Sequence, residues 1–203
     1  MFRHDWMEAL SKIHWSAPLI VYLPITAWLL RTAMVRDGDT PVAIAGWLLA
    51  GLACWTLSEY VLHRFVFHFV PKNAIGQRLH FIFHGVHHDY PSDRLRLVMP
   101  PSASLPISLA FYGLFSLALA PPALHPFMAG FLIGYMVYDT LHYALHHATF
   151  RQPLLKALKR HHMQHHFVDP DRGYGVSSPL WDHLLGTRAL PAPEAKAAVR
   201  AAR

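Results

Sequence analysis

The chain has 203 residues, 53% of them hydrophobic and 15% charged, with a formal charge of +6 when histidine is neutral. That length suits one core or one small membrane bundle and leaves little room for two domains, and the apolar balance argues for a membrane protein over a soluble one. A single cysteine, Cys54, excludes a disulfide framework within the chain.

In chain order, the opening "MFRHDWMEAL" mixes acid and base and is followed by no A-x-A-like cleavage site, so no removed signal peptide is expected. Four apolar runs are candidates for crossing a bilayer: residues 15–30, 41–57, 105–120 and 126–141. Each is near or below the lower limit of about 17 residues for a spanning helix. The second runs without a breaker into "SEYVLHRFVFH" and the fourth into "DTLHYALHH", which predicts helices that extend past lipid and carry histidine at their ends. "APPALHP" between the third and fourth runs predicts a tight turn, giving two hairpins. Polar blocks at 58–100 and 142–190 hold fourteen of the seventeen histidines, and "PAPEAKAAVRAAR" at 191–203 reads as a disordered tail. The expected fold is therefore all-α, with four candidate membrane-crossing helices in two hairpins, loops and short surface helices in the polar blocks, and residues 1–190 forming one domain.

Lysine and arginine locate the basicity. Of the 18, 16 fall before the first run, between the second and third, and after the fourth, and only two fall in the other connections. By the positive-inside rule this predicts a multi-pass protein with both termini and the histidine-bearing blocks on the cytoplasmic side. It also reads the charge as membrane orientation, so no nucleic-acid partner is expected.

The motif H-x-x-H-H occurs twice, as His84, His87 and His88 and as His162, His165 and His166. Residues at i, i+3 and i+4 share a helix face, so each trio is expected to converge on a small volume. His142 and His146 do the same as a pair, whereas His63 and His68 lie about 140° apart on an ideal helix. That last pair needs a loosened helix end or two different metals. Ten imidazoles are too many for one metal and natural for two, and they suit zinc, iron, copper and nickel alike. His68, His84, His87 and His88 recur 78 positions later as His146, His162, His165 and His166, suggesting two halves that each supply a helix end and an H-x-x-H-H helix to a shared centre. The plainer alternative is a basic or pH-sensing surface.

Around these ten, several residues are candidates for outer positions. Asp139 closes an otherwise apolar run and lies three residues before His142, close enough to hold an imidazole N–H. For Glu59 the same role and that of an ordinary interface carboxylate stand equal. Tyr174, Trp181 and Asp182 are candidates for the surroundings of the metals or the mouth of the substrate site, yet "SSPLWDHLLG" also reads as a serine cap, a proline start and a glycine stop of a short helix. His80, His147, His161 and His183 are either outer donors or surface residues, and the isolated His4, His14 and His125 are read as packed or solvated.

The stretches "EYVLHRFVFH", "HFIFHGVHHDYPSDRLRLVMPP", "DTLHYALHH" and "HHMQHHFVDPDRGYGVSSPLWDHLLGT", in that order over residues 55–188, resemble the fatty acid hydroxylase superfamily of membrane oxygenases, most closely its fatty acid 2-hydroxylase branch. The resemblance implies a four-helix transmembrane bundle capped on the cytosolic side by short helices, and a non-haem di-iron monooxygenase acting on a membrane lipid with O₂, the ten histidines being the ligands of two metal ions. Iron is expected in the active enzyme, and zinc could fill the same nest in a purified form. His161 is then an extra neighbour of the ligand His162, and Asp89 departs from the basic or neutral residue often found there in relatives. Eukaryotic 2-hydroxylases carry a fused cytochrome b5 domain with an H-P-G-G motif. No such motif occurs in this sequence, so a separate electron-transfer protein, cytochrome b5- or ferredoxin-like, is expected. A sterol or carotenoid hydroxylase or desaturase would use the same centre. A histidine-rich metal transporter would instead place its ligands at the middle of its spans, and a zinc hydrolase needs far fewer than ten histidines.

Overall fold

Every regular element among the described residues of the computed structural model is helical, and those residues are Glu8 and 11–190. The proposed tail at 191–203, and His4, lie outside them. The long helices are α1 (Ala17–Val35), α2 (Pro41–Leu62), α5 (Pro101–Ser116) and α6 (Pro121–His147). Between α2 and α5 come α3 (Ala74–His80) and α4 (Val86–Asp89), and after α6 come α7 (Pro153–Phe167) and α8 (Leu180–Leu184).

All four apolar runs are helices, but only two are both long and apolar enough to cross a membrane: Ala17–Val35 and the continuous helical stretch Pro41–Phe67. At 16 residues, α5 rises only about 24 Å against a hydrocarbon core of about 30 Å. The prolines of "APPALHP" were expected in the turn. Instead Pro121 opens α6, where a missing N–H costs nothing, and the turn precedes it.

The described chain forms two compact units, each discontinuous in sequence. The first contains the residues up to Thr56 and Arg94–Thr140. Its helix contacts depend on small residues. A Cβ on Gly51 would lie 1.9 Å from the Phe127 carbonyl oxygen, one on Gly130 2.0 Å from that of Leu48, and one on Gly134 2.5 Å from the Trp55 ring. Backbones that approach so closely gain dispersion contact without needing a solvent-driven hydrophobic effect, the usual device of helices in lipid. Trp55 then packs edge-on to Phe131 and Tyr135, at centroid distances of 5.1 and 5.4 Å. Tyr22 shares its hydroxyl with Ser104 and Ser108, both at 3.0 Å, and Asp37 pairs with His125 at 2.5 Å. His125 is thus packed, as expected of an isolated histidine. Outward, Val42 and Leu117 remain 82% and 85% exposed, apolar surface that water would not tolerate cheaply.

The second unit, Leu57–Asp93 with Leu141 and the residues after it, carries the histidines. Asn73 caps α3 by accepting the Gly76 N–H at 2.7 Å, and Pro153 opens α7. Two single turns of π-helix, His63–Phe67 and Phe81–Gly85, follow α2 and α3. The short helix anticipated in "SSPLWDHLLG" is α8. Ser178 Oγ accepts the Leu180 N–H at 3.2 Å, and Gly186, with φ of 70°, ends the segment in a left-handed turn.

Candidate metal centre

The ten histidines singled out by spacing all meet in the second unit, in two groups of five. His63, His68, His84, His88 and His165 form one, and His87, His142, His146, His162 and His166 form the other, with ligand atoms within 4.8 Å of one another in each group. Each H-x-x-H-H trio, whose spacing predicts convergence on one volume, is instead split between the two groups. The i and i+4 members stay together, and the i+3 member crosses to the other group. On a helix i and i+4 diverge by only about 40°, while i+3 lies about 100° from i+4. Ring centroids agree: His84–His88 is 4.6 Å but His84–His87 is 6.1 Å, and His162–His166 is 4.6 Å but His162–His165 is 6.0 Å. Each group therefore contains a helix-end pair and an i, i+4 pair from one half of the sequence and a single imidazole from the other half.

The pair His63 and His68 is reconciled by the loosened helix end. In the π-turn the His68 N–H bonds to the His63 carbonyl at 3.1 Å, an i→i+5 link that accommodates one residue more than an α-turn. His142 and His146, four apart, need no such device and sit on regular α6.

Imidazole orientation is set by main-chain carbonyls. His63 Nδ1 lies 2.5 Å from the Tyr174 carbonyl oxygen and His165 Nδ1 2.8 Å from that of Arg172. An Nδ1–H donated there leaves the Nε2 lone pair facing the group. The Pro91 backbone acts on His146 in the opposite sense to burial, raising its pKa. Within the groups Nε2 atoms face one another: His68–His165 at 3.1 Å, His68–His84 at 3.1 Å, His84–His88 at 2.9 Å, His146–His162 at 2.8 Å, His162–His166 at 3.1 Å and His87–His166 at 3.1 Å. Each Nε2 carries at most one proton, so facing pairs in chains cannot all be hydrogen bonds. Nitrogens held about 2.1 Å from one cation at right angles lie about 3.0 Å apart, so the spacing fits an ion in each group. Buried His63 Nε2 has no hydrogen-bond partner among the described residues, as a ligand atom would.

Burial, reinforced by neighbouring imidazoles, pushes His68 and His88 down to about 3. Burial likewise takes His146 and His165 to about 4 and moves His84, His87 and His162 well below the usual value. Neutral imidazole is the ligating form.

Two carboxylates hold the loop that supplies the carbonyls. Glu59 accepts the Val176 N–H at 2.6 Å, the Ser177 N–H at 2.8 Å and the Ser177 hydroxyl. Asp182 accepts the Tyr174 and Gly175 N–H groups at 3.0 and 2.7 Å, the Thr187 hydroxyl at 2.8 Å and His161 Nε2 at 3.2 Å. Burial raises the Asp182 pKa, but these donors outweigh it and leave the group below the ordinary carboxylate range. The Tyr174 ring packs edge-on to His63 and His68 at 5.7 and 5.4 Å. Asp139, expected beside an imidazole, instead accepts the Tyr135 hydroxyl at 2.9 Å and the Met99 N–H at 3.3 Å within the first unit. His147 packs on Tyr143 at 4.6 Å, His80 lies near enough to His68 and His88 to depress their pKa, and His183 is exposed. The two orienting carbonyls were not foreseen.

The family model described as fatty acid hydroxylase matches residues 48–187. The chain belongs to this family. Among curated fatty acid hydroxylases, a dihydroceramide fatty acyl 2-hydroxylase of Arabidopsis thaliana is 38% identical over 96% of this chain and 81% of its own length. The fatty acid 2-hydroxylase of Homo sapiens is 35% identical over 97% of this chain, which spans only 58% of that relative. The structure of full-length Scs7p, with only its hydroxylase domain visible, is similar at 35% identity with a TM-score of 0.86, covering 92% of this chain and 70% of that one.

Proposed function

We propose that this fatty acid hydroxylase adds a hydroxyl group to carbon 2 of a lipid acyl chain, free or sphingolipid-linked. The observation that carries the reading is the pair of five-imidazole groups in a chain similar over nearly its whole length to a dihydroceramide fatty acyl 2-hydroxylase. An aliphatic C–H bond resists acid, base and zinc-bound hydroxide, so the chemistry calls for two iron ions that activate O₂ when bound. The ten histidines would hold them: His63, His68, His84, His88 and His165 one, His87, His142, His146, His162 and His166 the other. In the balanced reaction one oxygen atom enters the C–H bond beside the acyl carbonyl and the other leaves as water, consuming two electrons and two protons. The electrons are supplied by an electron-transfer protein of the cytochrome b5 or ferredoxin type.

The chain's own contribution is binding and orientation. Carbonyls at 172 and 174 fix two ring tautomers, Glu59 and Asp182 fix those carbonyls, and burial keeps the ligating rings unprotonated. Residues 1–190 are read as one domain, because neither unit is a continuous stretch of chain. The four apolar helices are read as a transmembrane bundle, with both termini and the histidine-bearing segments on the cytoplasmic side, from the distribution of lysine and arginine. An acyl chain then reaches the site from lipid while reductant reaches it from water.

Lipid mass spectrometry of cells expressing the protein under isotopically labelled O₂ tests this. Labelled 2-hydroxyacyl lipids are expected with the wild type and not with His84→Ala. Hydroxylation that survives in the variant, or product that carries no label, rejects the proposal.

A further inference from the structure

The loop at 172–177 serves the two histidine groups unequally. Its bonds to imidazole go to His63 and His165, both of the first group. The Tyr174 ring touches His63, His68 and His165, again all of that group. In the second group the main chain that acts on the His146 pKa is that of Pro91, outside the loop. The loop has no regular secondary structure of its own, and its main chain is pinned by acids reaching in from two sides. Glu59 on α2 takes the amides of 176 and 177, and Asp182 on α8 takes those of 174 and 175. Both carboxylates are almost wholly buried, at 4% and 0% exposure. Both are fully used on this one segment and its supports, Thr187 and His161.

We infer that Glu59 and Asp182 are positioning residues for one metal only: through the loop carbonyls they aim His63 and His165, so the first metal position depends on this clamp and the second does not. The inference rests on the dimetal reading above. A carbonyl that moves lets its imidazole rotate or change tautomer, and loss of such an orienting partner weakens metal binding by about 10–100-fold. The two positions, alike in ligand count, are therefore inequivalent in affinity and in what sets it.

The test is a cobalt(II) titration of full-length protein in detergent, with a competing chelator, following the ligand-field absorption of each equivalent. The wild type is expected to bind two. In Asp182→Asn and in Glu59→Gln one equivalent should weaken about 10–100-fold while the spectrum and affinity of the other stay unchanged. Asp182→Glu, which keeps the carboxylate, should recover part of the loss. Ser177→Ala, which removes one donor to Glu59 and leaves both acids in place, should produce a smaller loss of the same equivalent and covers the case in which an acid variant does not fold. In a His84→Ala background, where the first position is already damaged, Asp182→Asn should leave the surviving equivalent untouched. Equal weakening of both equivalents, or of neither, overturns the inference. A wild type that binds no pair of ions rejects the dimetal reading itself.

Discussion

At the scale of single residues, the position of the site depends on glycines as much as on histidines. A Cβ on Gly175 would sit 2.1 Å from the Ser178 carbonyl oxygen and 2.9 Å from Asp182 Oδ2. Gly175→Ala must therefore displace the loop, and it is expected to destabilise the protein by about 1–3 kcal/mol, read as a lower melting temperature. The division of the histidines gives a second prediction. His87 stands in the first H-x-x-H-H but belongs with His142, His146, His162 and His166. A His87→Ala variant should therefore resemble His162→Ala, and not His84→Ala, in which metal equivalent it loses; spectra that pair it with His84→Ala would contradict the grouping. All ten ring positions were legible in the sequence, because count and spacing of one residue type carry the signal. The division between the groups is not legible there, because a spacing rule takes i+3 and i+4 as one helix face. The orienting carbonyls of Arg172 and Tyr174 were not legible at all, since a main-chain acceptor leaves no mark on residue type.

At the scale of elements, hydropathy located four helices but misjudged their ends. Run 15–30 became Ala17–Val35 and run 126–141 became Pro121–His147. Helix propensity continues where apolar character stops, and α6 carries polar Asp139, His142 and His146 without a break. The π-turn at His63–Phe67 was legible only as a conflict, a five-residue spacing that an α-helix could not satisfy. The glycine contacts of α2 and α6 could not be read from composition, because a glycine's neighbour across a helix pair is a tertiary fact. They set an expectation: Gly130→Val places branched carbon where the Leu48 carbonyl already lies. It should lower stability by about 1–3 kcal/mol or more, measured by thermal unfolding in detergent, while Gly113→Val, where an added Cβ meets nothing within 4 Å, should change it little.

At the scale of the molecule, the histidines couple folding to pH and, with the two groups filled as proposed, to metal. His68, His88, His146 and His165 titrate at about 3 to 4 in the folded protein against an ordinary 6.5. Below pH 6.5 the unfolded chain therefore binds more protons than the folded one, so stability is full above that pH and is lost as pH falls toward 4. Each proton of difference contributes about 1.4 kcal/mol per pH unit. Metal-free protein should melt at steadily lower temperature from pH 6.5 downward, and a flat profile would contradict this. Bound metal competes with the same protons, so chelator treatment near pH 7 should lower the melting temperature, and readdition of metal should restore it.

The crossed membership of the two histidine groups also bears on biosynthesis. The group built mainly from early histidines still waits for His165, and the group that claims His162 and His166 needs His87 from far upstream. A ribosome that has delivered every apolar helix has not yet released a complete nest of either kind. A metal ion thus meets no finished cradle on a polypeptide that stops short of His165 and His166, and filling of either group waits until those two residues have been made.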